Sequence, residues 1–170
     1  MISLDLAQLV GLLSFILGVC TFYQKTDRTL KIMMLTLNIN HMVHYILLGA
    51  PVAALSSFLS GLRTFTSIKT NSLYIAGLFI VFGVTMGLYM ATRWTDMLAI
   101  IGTSIGTYAL FRLDGIKMRI AFLIGACFWL ANNLVLGSIG GVLLEVTMIA
   151  VNLSTIYRLS KSKMNEVSDA

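Results

Sequence analysis

Between Ala121 and Asn152 the chain carries one charged residue, Glu145, in a run that is otherwise apolar or weakly polar. A carboxylate in such a setting is expensive, by roughly 2.5–3.5 kcal/mol on insertion scales, and needs a partner, a bundle interior or a wet cavity. Its polar neighbours come at helical spacings. Trp129, Asn132 and Asn133 stand at i, i+3 and i+4, on one helix face. Asn152 follows Glu145 by seven residues, two turns on and nearly the same face. Earlier in the chain His41 and His44 are three apart, and Asn40 and His44 four apart. Amides and a carboxylate hydrogen-bond polar solutes, an indole stacks on an apolar or ring face, and histidine moves protons near neutral pH. Trp129, Asn132, Asn133, Glu145, Asn152, His41 and His44 are therefore the candidate solute-binding residues.

Each has a packing alternative. Asn132 and Asn133 can bridge helices, as side-chain amides do in membrane bundles. Trp129 can be packing or an interfacial ring. The histidines can be buried, neutral and hydrogen-bonded, and Glu145 can anchor to a hydroxyl or a histidine. Arg63, inside another apolar run, is expected to snorkel to a membrane surface. A metal held by the histidines with Glu145 as third ligand has no supporting spacing motif. There is no glycine-rich phosphate loop, no nucleophile elbow and no Cys-x-x-Cys. The expectation is a protein without catalytic residues, metal or cofactor.

These residues must be positioned by a membrane bundle. Of 170 residues 58% are hydrophobic and 11% charged, and mean hydropathy is +0.89. A soluble domain has about 45–50% apolar and about 25% charged residues. The net charge of +5 then needs no nucleic acid. Cys20 and Cys127 lie inside apolar runs and read as small packing residues. Asp5 stands where a cleaved signal would carry positive charge.

About 20 apolar residues cross a hydrocarbon core. Seven runs qualify: Leu4–Tyr23, Leu30–Ala50, Pro51 to about Ile68, Leu73–Thr92, Met97–Phe111, Met118–Gly137 and Ile139–Tyr157. The fifth is the shortest. Gln24–Arg28, Asn71-Ser72, Arg93–Asp96 and Leu113–Met118 are links, and residues 158–170 read as a cytoplasmic tail disordered at its end. Lys25, Arg28, Lys31, Lys69, Arg112, Lys117, Arg119, Arg158, Lys161 and Lys163 fall on one side, and only Arg93 on the other. Basic residues collect on the cytoplasmic side, so the N-terminus is expected outside and the C-terminus inside.

The chain also repeats. An offset of 88 residues pairs Gly18 with Gly106, Lys31 with Arg119, Leu48-Gly49 with Leu136-Gly137 and Leu55 with Leu143. It pairs His41 with Trp129, His44 with Asn132, Ser57 with Glu145 and Thr64 with Asn152. Residues 4–68 and 97–157 then form two three-helix repeats, with 73–92 as a linker helix. An odd linker leaves both repeats in the same orientation, a known transporter plan with substrate near the midplane between the halves.

Leu6-Ala7-Gln8, Leu62-Arg63-Thr64, Ala109–Arg112, Met118-Arg119 and Gly137–Gly141 followed by Glu145 resemble the YgjV family of bacterial inner-membrane proteins, over nearly the whole chain. The resemblance implies an inner (cytoplasmic) membrane location. The three-plus-one-plus-three plan is similar to the SWEET and PnuC transporters by architecture alone. Those of the SWEET group use prolines as hinges, whereas the only proline here is Pro51.

The expected fold is thus all-α, a single polytopic membrane domain of seven transmembrane helices in a SWEET-like arrangement. The expected function is transport of a small polar solute, sugar-like or vitamin/nucleoside-like, with the bilayer as the other partner. Self-association is left open. The competing expectation is a non-transporting sensor, assembly subunit or scaffold. A polar, water-accessible pocket at mid-depth favours the first, and a core closed by side-chain hydrogen bonds favours the second.

Overall fold

The structure, a computed structural model, describes residues 5–22, 27–70 and 72–168. These form seven helices: α1 Leu6–Phe22, α2 Asp27–Leu47, α3 Pro51–Ser67, α4 Leu73–Met90, α5 Asp96–Arg112, α6 Gly115–Leu136 and α7 Ile139–Ser168. The expected first-run bounds Leu4 and Tyr23, most of the Gln24–Arg28 link and Asn71 lie outside the described residues or their described side chains. Among the described residues three helices are long and apolar enough to cross a membrane: Leu73–Met90, Gly115–Leu136 and Ile139–Lys161. The described parts of α1 and α2 are shorter apolar helices.

Local chemistry sets the breaks. The α2–α3 and α6–α7 connections are alike. Gly49 and Gly137 both adopt left-handed φ, +67° and +68°, which glycine takes without a Cβ penalty. Just beyond them the Ala50 amide donates to Tyr45 O and the Ser138 amide to Asn133 O, both at 2.9 Å. Pro51 then opens α3, where a missing N–H costs nothing. Asp5 caps α1, its Oδ1 accepting the Gln8 amide at 2.9 Å.

Two elements differ from expectation. The fifth helix has the same 17 residues as α1 and α3, because Asp96 and Arg112 extend it at both ends. Residues 158–168, expected as part of a polar tail, continue α7 as helix to Ser168. Arg, Leu, Lys, Met and Glu in that segment are good helix formers, and an apolar helix already nucleated beneath it needs only propagation.

The helices pack in a ring. α1 touches α2 and α7, α2 touches α3, α3 touches α5, α5 touches α6, and α6 touches α7. α4 stands outside, against α3 and α5 only, and buries just Ala76 and Gly87. Small residues let the backbones approach, as membrane packing requires. α3 buries Ala53, Ala54, Ser56, Ser57, Ser60 and Gly61; α5 buries Ala99, Gly102, Thr103, Gly106 and Thr107. At the α1–α7 contact a Cβ on Gly140 would collide with the Gly11 backbone. Large apolar side chains cover the outside of the bundle. Cys20 and Cys127 are exposed there rather than packed between helices.

The candidate site at the ring centre

α2 and α6 lie opposite each other in the ring, and side chains from the two meet across its middle. Tyr45, fully buried, donates its hydroxyl to Asn133 Oδ1 at 2.8 Å. Its ring stacks on Trp129, centroids 5.6 Å apart. His41 and His44 flank it at 5.3 and 5.2 Å and lie 6.2 Å from each other. Tyr45 and Asn133 are themselves 88 residues apart.

The end of the bundle bearing the two glycine turns is closed by hydrogen bonds. His44 Nδ1 lies 2.7 Å from Ala7 O, and its Nε2 lies 2.6 Å from Ser138 Oγ. A carbonyl only accepts, so Nδ1 carries the proton and Nε2 accepts from the serine hydroxyl. Ser138 Oγ in turn accepts the Gly141 amide at 3.0 Å, an N-cap for α7. Gln8 clamps the same turn: its Nε2 donates to Gly137 O at 2.7 Å, and its Oε1 accepts the Ile139 amide at 3.0 Å. Asn40 Nδ2, one turn along α2 from His44, reaches Val10 O at 2.8 Å and Ser14 Oγ at 2.7 Å on α1. Ser138 and His44 have the connectivity of a nucleophile and its base. Both are fully buried, and Gly140 packs on the Gly11 backbone beside them.

Beneath this closure the chemistry changes. His41 Nε2, Thr103 Oγ1, Asn132 Nδ2 and Asn133 Nδ2 are buried with no hydrogen-bond partner. They come from α2, α5 and α6. Trp129 lies against Gly102 of α5, where a Cβ would sit 2.8 Å from the indole. Glu145 is partly buried, close enough to interact electrostatically with Tyr45. It lies about 9 Å along α7 from its start. Asn152 is two turns farther. Its Nδ2 bonds back to Met148 O at 3.0 Å on its own helix, and its Oδ1 is buried and unpartnered. The structure thus brings His41, His44, Trp129 and Asn133 together around Tyr45, sets Asn132 and Glu145 nearby, and leaves Asn152 apart. Among the described residues no group of three His, Cys, Asp or Glu comes together.

A family model described as a bacterial inner membrane protein, Imp-YgjV, matches residues 5–163. The chain belongs to this family. It is 34% identical over 153 residues to the inner membrane protein YgjV of Escherichia coli (strain K12), covering 90% of this chain and 84% of that one. No solved structure matches. Membership in the Imp-YgjV family makes the chain a bacterial inner membrane protein, in accord with its three long apolar helices and its lipid-like exterior.

Sequence reasoning missed Tyr45, Gln8 and Ser138 as site residues. The offset of 88 already paired Tyr45 with Asn133, so a polar-capable residue opposite a chosen site residue was a usable signal. Gln8 and Ser138 lay at run ends, where polar residues are ordinary. Arg63 was expected at the surface, but its Nη1 donates to Thr107 Oγ1 at 3.2 Å and its Nε is buried without a partner. Helical side chains lean toward the helix N-terminus, and Arg63 is near the C-terminal end of α3, so the lean carries it into the bundle.

Proposed function

We propose that this protein transports a small polar solute, sugar-like or vitamin/nucleoside-like, through a site at the ring centre. Its spans are seven, arranged three plus one plus three, with the N-terminus periplasmic and the C-terminus cytoplasmic. Three things support the repeat. Exchanging α1 with α5, α2 with α6 and α3 with α7 maps every contact of the ring onto another contact of the ring. The two left-handed glycines stand at the same offset. Tyr45 and Asn133, equivalent under the exchange, bond to each other, as residues beside a two-fold axis do. The basic residues Lys69, Arg112, Lys117, Arg119, Arg158 and Lys161 support the orientation.

The observation that carries the transport reading is the set of buried, unpartnered polar atoms on α2, α5 and α6, just beneath a hydrogen-bonded closure. Buried polar groups are almost always satisfied, so a cluster of exceptions at the axis of a bundle marks groups that serve a solute. Trp129 stacks on it, Asn132 and Asn133 donate to it, and Glu145 receives a hydroxyl or cationic group. In this arrangement the periplasmic end is shut by Gln8, His44, Tyr45 and Ser138, and these must part for solute to enter from outside. The competing reading, a non-transporting sensor, assembly subunit or scaffold, is favoured by that same closed network.

Uptake into proteoliposomes separates the two. Labelled sugars, nucleosides and vitamins are offered to wild type and to Asn132→Leu, which removes a group that makes no hydrogen bond through Nδ2. Transport predicts saturable uptake of at least one solute by wild type, reduced at least about tenfold in the variant, a cost near 1.4 kcal/mol of binding. No uptake of any solute by folded wild type supports the scaffold.

A further inference from the structure

The geometry points to a second site, at the α3–α5 seam, where Arg63 binds an oxyanion, a phosphoryl or carboxylate group. Arg63 lies twelve residues into α3, about 18 Å from its start, well away from Tyr45 and its neighbours. Its guanidinium rests over Gly106 of α5: a Cβ there would sit 3.1 Å from Nη1. Thr107 Oγ1 takes one N–H of Nη1, and Thr107 passes its own proton to Thr103 O at 2.7 Å. That fixes the plane of the group and leaves the other edge, Nε with Nη2, as the open fork.

Nε is buried with no partner, and among the described residues Arg63 has no carboxylate in salt-bridge contact. Arg63 is partly buried, and neutral threonine hydroxyls do not balance the charge of a guanidinium drawn in from water. The edge that remains is the one that grips carboxylate and phosphate oxygens with two parallel N–H bonds. The surrounding charge is complementary. Lys69, Arg112, Lys117 and Arg119 stand at this end of the bundle, against Asp114. This inference does not depend on transport.

The oxyanion has two sources, an anionic lipid headgroup or a free anion, and the test distinguishes them. Wild type, Arg63→Lys and Arg112→Gln are placed in nanodiscs of phosphatidylcholine, with inorganic phosphate or with chloride at equal ionic strength. A parallel set carries phosphatidylglycerol and no phosphate. Wild type is expected to gain about 3 °C or more in melting midpoint in one arm, phosphate for a free anion or phosphatidylglycerol for a lipid. Arg112→Gln keeps that gain. Arg63→Lys keeps the charge, loses the fork and loses most of the gain. Wild type unmoved in both arms, or Arg63→Lys responding as fully as wild type, overturns the site. Uptake of a neutral solute is unaffected by either result, so the transport reading stands or falls separately.

Discussion

The ring is closed by two seams, α1–α7 and α3–α5, and they hold together by different physics. The 88-residue offset, which pairs α1 with α5 and α3 with α7, carries one seam onto the other. At the turn end the α1–α7 seam is polar: Gln8, His44 and Ser138 tie α1 and α2 to the α6–α7 turn. The corresponding end of α3–α5 is apolar, made of Val52, Ala53, Ala99 and Ile100 with Tyr45. Farther along, the order reverses. On α1, Gly18 receives Leu144 of α7; on α5, its equivalent Gly106 receives Arg63 of α3. α4 braces only the second seam. One backbone plan therefore carries two chemistries.

Substitutions at glycine break or sharpen this contrast. Gly140→Ala drives a Cβ into the Gly11 backbone, which no rotamer change relieves. It is expected to cost about 3 kcal/mol or more, read as loss of folded protein. At the other seam, Gly106→Ala meets only the flexible end of Arg63. The helix-propensity gain of about 1 kcal/mol offsets that displacement, and the midpoint should hardly move. Equal damage from both would show that the seams are packed alike.

Next in size are the polar ties. His44→Ala strands Ala7 O and the Ser138 hydroxyl in a buried site, a loss of about 2–4 kcal/mol. Gln8→Ala leaves Gly137 O and the Ile139 amide unpaired at the bundle end, a loss of about 1–3 kcal/mol. Unfolding midpoints in detergent check both. A midpoint unchanged by either substitution would remove the hydrogen-bonded closure from the account.

How much of this could be read in the sequence follows from where each signal lies. The helices and the glycine turns were legible, because Gly49 and Gly137 interrupt long apolar runs at the same offset. So was the polar cluster: Asn132, Asn133 and Glu145 stand out against Leu, Val and Met. Tyr45 did not, since tyrosine is unremarked in an apolar run, and its role depends on Asn133 facing it across the ring. Arg63 was misplaced for a similar reason. The notch that receives it is Gly106, on a helix distant in the chain. The helix through Ser168 was missed because a polar segment has no apolar period to betray it.

Glu145 offers the smallest expected effect on stability and the most direct test of the central claim, that the ring centre beneath the closure serves a solute. Among the described residues its carboxylate has neither hydrogen bond nor ion pair, so Glu145→Gln removes charge while breaking neither. The measurement is the melting midpoint of wild type and Glu145→Gln, each with and without the solute that most stabilises wild type in a panel of sugars, nucleosides and vitamins. The account predicts midpoints within about 2 °C of each other without solute and a solute-induced rise present in wild type and lost in the variant. A lowered midpoint with the solute response intact would make Glu145 a packing residue and contradict the claim, as would a panel in which no solute stabilises wild type.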